Sequence, residues 1–94
     1  MGFENKTVII TGGASGIGLL CGQCFAREGA NVVLADINKK VLDEKVQEIC
    51  SNGGKAIGVP VDVRNYNQVV KVRDTAVETF GSIDILINCA GGSA

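Results

Sequence analysis

The sequence predicts an α/β domain: a parallel sheet flanked by helices, strand order 3-2-1-4, built as the first half of a doubly wound fold. Three observations carry this. Short β-branched runs alternate with amphipathic segments along all 94 residues. The first run passes directly into the glycine-rich stretch Thr11-Gly12-Gly13-Ala14-Ser15-Gly16-Ile17-Gly18. Pro60 sits inside the third run, and a sheet tolerates proline at an edge. Alternation of this kind implies right-handed crossovers and a parallel sheet covered by helices. Four strands so connected lie in the order 3-2-1-4, which places the third at an outer edge.

Each element has its own signal. Thr7 to Ile10 is a buried strand. From Gly16 to about Arg27, residues Ile17, Leu20, Cys21, Cys24 and Phe25 fall at i, i+3, i+4, i+7 and i+8, predicting a helix with those side chains inward and Gly29 closing it. Asn31 to Ala35 is the second buried strand, with Asp36 at its end. Asn38 caps a second helix, whose Leu42, Val46 and Ile49 share a face before Gly53-Gly54. Lys55 to Val61 is the third strand. A third helix is expected from about Asn67 to Phe80, with Val69, Val70, Ala76, Val77 and Phe80 inward. Gly81 ends it, and Ile83 to Asn88 forms a fourth strand whose apolar side chains are unusual for an exposed edge.

Composition sets outer limits. The chain is 46% hydrophobic and 20% charged with net charge −1, which gives no basic field for nucleic acid or an anionic membrane. No apolar run approaches the roughly 20 residues of a membrane span. The N-terminal residues carry no signal-peptide pattern. Four cysteines without a zinc spacing, and no histidine, point to a reduced, cytoplasmic setting and to no metal. Cys21-x-x-Cys24 fits core packing on the first helix better than a redox pair, and Cys50 is expected to be partly buried. The Lys39 to Lys45 charge cluster reads as a solvated helix face with i,i+4 pairs.

The chemistry lies in the glycines. Between a strand and a helix they permit positive φ and close backbone approach to a ligand. The helix that follows offers unpaired N–H groups and the positive end of its dipole, a site suited to pyrophosphate. Ser15 adds a hydroxyl. Asp36, eighteen residues after Gly18 and at the end of the second strand, suits the two hydroxyls of an adenosine ribose. A negative carboxylate there opposes a 2′-phosphate, so NAD is expected in preference to NADP.

The spacing Thr-Gly-x-x-x-Gly-x-Gly, then Asp62-Val63, then Ile87-Asn88-Cys89-Ala90-Gly91, resembles the short-chain dehydrogenase/reductase family, in its branch of simple oxidoreductases. The resemblance runs from about Phe3 to Gly91 and implies a Rossmann-like, NAD-binding N-terminal portion over residues 1–94. It implies that Gly12, Ser15, Gly16, Ile17 and Gly18 hold the pyrophosphate and neighbouring ribose, and that Asp36 and Ile37 meet the adenosine ribose. Asp62 would meet the adenine amino group, Val63 the ring, and Asn88, Ala90 and Gly91 the path toward nicotinamide. It further implies hydride transfer between nicotinamide and a small carbonyl or alcohol substrate, in a homo-oligomer. Cys89 stands where the family usually has a second Asn. The family's catalytic Ser, Tyr and Lys lie beyond the fourth strand, outside this chain. Tyr66 has Val70 four residues on rather than Lys, so no catalytic residue is assigned, and the 94 residues alone are expected to show no turnover. The alternative reading is a non-catalytic nucleotide-binding or interaction module.

Overall fold

The computed structural model describes residues 2–14, 16–62 and 64–89. Strand β1 (Thr7–Thr11) leads to helix α1 (Gly16–Arg27), β2 (Asn31–Asp36), α2 (Lys39–Ser51), β3 (Lys55–Pro60), α3 (Tyr66–Phe80) and β4 (Ile85–Asn88). All three strand pairings are parallel, and the order is β3-β2-β1-β4, as the alternation predicts. Pro60 lies on the outermost strand, where its missing N–H interrupts no inner ladder. Asn38 and Asn65 cap α2 and α3, each with its side-chain oxygen accepting from the backbone of the first turn.

Two apolar layers enclose the sheet. On one face Val8, Ile10, Val32, Leu34, Leu42 and Ile49 form a buried cluster with Cys21, Phe25 and Ala26 of α1 and Val46 of α2 packed on it. On the other, Ile9, Val33, Ala35, Val59 and Val61 meet Val72 and Ala76 of α3. The strict in-out alternation of β1 and β2 therefore supplies both layers, and each fully buried Val, Ile or Leu contributes about 2 kcal/mol.

Both outer helices depart from their expected facing. On α1 the buried residues are Gly18 and Gly22, while Ile17, Leu20 and Cys24 are exposed. A Cβ at Gly22 would come within 2.9 Å of Leu34 Cδ2. The helix lies so close to β1 and β2 that glycine must form its inner face, with Phe25 and Ala26 completing it. Counting apolar side chains finds Cys21 and Phe25 but misplaces Ile17, Leu20 and Cys24, because the residue that permits closest approach has no side chain. On α3, Ala76 is buried and Phe80 packs on the core as the pattern predicts, while Val69 and Val77 are exposed and Val72 takes the other buried position. Cys50 is exposed as well.

The outward part of α3 and the free side of β4 form an apolar groove of about 230 Å³ lined by Ile9, Tyr66, Val69, Ile83 and Leu86 among others. Leu86 is 65% exposed on a strand with β1 on one side only. Covering about 400 Å² of such surface stabilises by about 10 kcal/mol before the cost of association. The 94-residue chain expressed alone is thus expected to self-associate, and Leu86→Lys to shift it toward monomer. Sedimentation across a concentration series checks this; a wild-type monomer throughout would refute it.

Candidate functional site

Parallel pairing in register brings the C-terminal ends of the strands level: Thr11 lies opposite Ala35 on one side and Asn88 on the other, and Asp36 lies opposite Pro60. The crossovers carry α1 and α2 to one face of the sheet and α3 to the other. The chain thus reverses its winding between β1 and β4, and in open α/β sheets the crevice at such a reversal is where ligands bind. All of the candidate site residues that the structure describes are at this edge.

The glycine turn is built from backbone upward. Gly12 and Gly13 both donate to the Ala35 carbonyl, at 2.7 and 3.1 Å, which pins the turn against β2. Gly12 and Gly16 have φ of 70° and 60°, in the left-handed region that favours glycine. Gly18 packs directly on the turn: a Cβ there would run into the Gly12 carbonyl. A Cβ at Gly16 would meet nothing within 4 Å, so its side of the turn is open. The first turn of α1 carries no acidic side chain, and Ile17 beside it is 74% exposed. Helix-start N–H groups with no competing carboxylate on their own turn suit an anion.

Asp36 ties that turn to the adjacent strand end. Its Oδ2 accepts from the Ala14 N–H at 3.0 Å and its Oδ1 from the Asn38 N–H at 3.1 Å. One carboxylate thereby orients the glycine turn and the entry to α2 together. Ile37 follows it, 66% exposed. The Asp36 carbonyl accepts from the Val61 N–H at 2.9 Å, which sets Asp62 beside the end of β2. The Asp62 carboxylate receives Arg64 Nε at 2.9 Å and a second guanidinium nitrogen at 2.7 Å. Those bonds, with the Arg64 backbone N–H, lower its pKa from 3.8 to about 2, so it is ionised at any working pH.

At the other end of the crevice, Asn88 Oδ1 accepts from the Thr11 hydroxyl at 2.7 Å, and the Cys89 N–H donates to the Thr11 carbonyl at 3.0 Å. Thr11 therefore fixes the end of β4 to the start of the glycine turn. Gly12, Gly16, Gly18, Asp36 and Asp62 form one connected edge, and Asn88 joins it through Thr11. The remaining candidates, Ser15, Val63, Ala90 and Gly91, lie outside the described residues. Sequence reasoning missed Thr11, Ala14 and Arg64. Only Arg64, a cation two residues from an acid, carried a local signal. Tyr66 is 77% exposed at the start of α3 and lines the apolar groove.

The sequence pattern of short chain dehydrogenases matches residues 6–94. The chain belongs to that family. Among short chain dehydrogenases and their relatives, the 3β-hydroxysteroid dehydrogenase 2 of Eggerthella lenta is 45% identical over 86 residues, covering 92% of this chain and 33% of that protein. The 3-oxoacyl-(acyl-carrier-protein) reductase FabG of Thermotoga maritima is 41% identical over 91 residues, covering 97% and 37%. The solved structure of a 7α-hydroxysteroid dehydrogenase with NADH and 7-oxo glycochenodeoxycholic acid superposes with a TM-score of 0.93 at 37% identity, covering 98% of this chain and 36% of that one. The chain spans about a third of the length of these relatives. Their names give chemically different substrates, a hydroxysteroid in one and a 3-oxoacyl-(acyl-carrier-protein) in another, while they match this chain to a similar degree.

Proposed function

We propose that residues 1–94 are the NAD-binding portion of a dehydrogenase that moves hydride between nicotinamide and a small alcohol or carbonyl compound. One observation carries the reading: the Asp36 carboxylate and the glycine turn meet through the Ala14 N–H. An anion-binding backbone and a ribose-binding acid therefore sit side by side. The residues fit the cofactor. The open side of Gly16 leaves room for pyrophosphate, the first turn of α1 offers donors, and Asp36 keeps lone pairs on both oxygens for ribose hydroxyls. When bound, the nicotinamide ring supplies the hydride acceptor or donor. The protein binds and orients: Gly12, Ser15, Gly16, Ile17 and Gly18 hold the phosphates and adjoining ribose, Asp36 and Ile37 the adenosine ribose, and Asp62 with Val63 the adenine. Asn88, Ala90 and Gly91 line the approach to the nicotinamide, where Thr11 fixes the direction of β4.

NADH in the related hydroxysteroid dehydrogenase supports the cofactor class, and Asp36 supports NAD over NADP. An apolar edge at β4 supports assembly into a homo-oligomer or with further chain. Free cysteines support a cytoplasmic setting, and no described helix is long and apolar enough to cross a membrane. Calorimetry of the full-length protein with NAD tests the reading. Micromolar binding abolished by Asp36→Ala together with Gly16→Val is the expected result; binding unaffected by that pair would refute the site.

A further inference from the structure

Asp62 is held from three directions. Its N–H donates to Gln68 Oε1 of α3 at 2.6 Å, which fixes the backbone. Its Oδ1 accepts both the Arg64 N–H at 3.0 Å and Arg64 Nε at 2.9 Å, and its Oδ2 accepts the second guanidinium nitrogen at 2.7 Å. This fork uses one lone pair on Oδ2 and locks the plane of the carboxylate. The Arg64 side chain is 83% exposed and that of Asp62 30%, so the guanidinium is open to solvent. An exposed ion pair contributes little to stability, so stability gives no reason for the fork. Its position gives one. Asp62 follows Val61, whose N–H donates to the Asp36 carbonyl, so the fork orients a carboxylate beside the end of β2 without consuming every acceptor.

We infer that Arg64 is the positioning and specificity-determining residue for the purine end of the dinucleotide. It holds Asp62 in one orientation, with an Oδ2 lone pair directed at an exocyclic amino group. Lysine, a single point donor, cannot reproduce the fork. The inference rests on the reading of this edge as a dinucleotide site.

The test uses the full-length protein carrying this chain and two ligands, NAD and nicotinamide hypoxanthine dinucleotide, which has an oxo group in place of the adenine amino group. Dissociation constants by calorimetry are compared for wild type, Arg64→Lys and Arg64→Ala, with melting temperatures alongside. Wild type is expected to prefer NAD by about tenfold, the effect of one hydrogen bond to a charged group. Arg64→Ala should reduce that preference to about twofold with little change in melting, and Arg64→Lys should fall between. A preference unchanged in Arg64→Ala overturns the inference. Equal binding of both ligands by wild type overturns it too, while leaving the dinucleotide site standing. Failure of wild type to bind either ligand removes the dinucleotide reading and the inference together.

Discussion

Replacing Asp36 by Ala together with Ile37 by Arg is expected to reverse cofactor preference in the full-length protein from NAD to NADP. A 2′-phosphate about 4 Å from the Asp36 carboxylate is repelled by about 4 kcal/mol per unit charge at an effective dielectric near 20. Removing that charge and adding a guanidinium at exposed Ile37 should swing the affinity ratio by about a thousandfold. The structure adds a second consequence. Asp36 also accepts from the Ala14 and Asn38 N–H groups, so its loss frees the glycine turn. Asp36→Ala alone should therefore lower NAD affinity and cost about 1 kcal/mol of stability. Asp36→Asn keeps one acceptor and sets its NH2 against the other N–H, so it should lose stability as well as NAD affinity. Calorimetric titration with both cofactors checks the swing; equal affinities in the unmodified protein would defeat the argument.

Gly18→Ala is expected to be the most damaging single substitution at the site. The added Cβ meets the Gly12 carbonyl, a backbone atom that cannot rotate away. Either α1 moves outward or the turn distorts, at about 1–3 kcal/mol for overpacking. Both responses displace the donors proposed to meet pyrophosphate, and a shift of about 1 Å in such a constellation costs about a hundredfold. Gly53→Ala is the control. Its φ of 90° makes alanine strained, yet a Cβ there meets nothing within 4 Å, and the residue follows α2 away from the strand ends. It should lower the melting temperature by an amount similar to Gly18→Ala and leave NAD binding intact. Equal loss of binding in both variants would mean that general destabilisation, rather than the turn, governs affinity.

The strand order and the edge that carries the candidate site were legible in the sequence because they follow from local signals. Alternating runs, the glycine spacing and an acid at the end of the second strand each involve neighbours along the chain. The short chain dehydrogenase family of this chain was legible for the same reason, since its motifs are contiguous. The connections that make a site of those motifs were not. Thr11 and Asn88 are 77 residues apart, and Ala14 and Asp36 are 22 apart. No pattern within one element states that a hydroxyl on β1 will hold an amide on β4.

The sequence by itself determined which elements exist, their order in the sheet and which strand ends bear glycine and acid, because propensity and period act through adjacent residues. Tertiary structure alone decided which residues of α1 meet the sheet and that Asp36 braces the glycine turn. The physical reason is the same in both cases. Periodicity counts the side chains that are present, whereas close approach of α1 to β2, and of Asp36 to the Ala14 amide, depends on side chains that glycine omits.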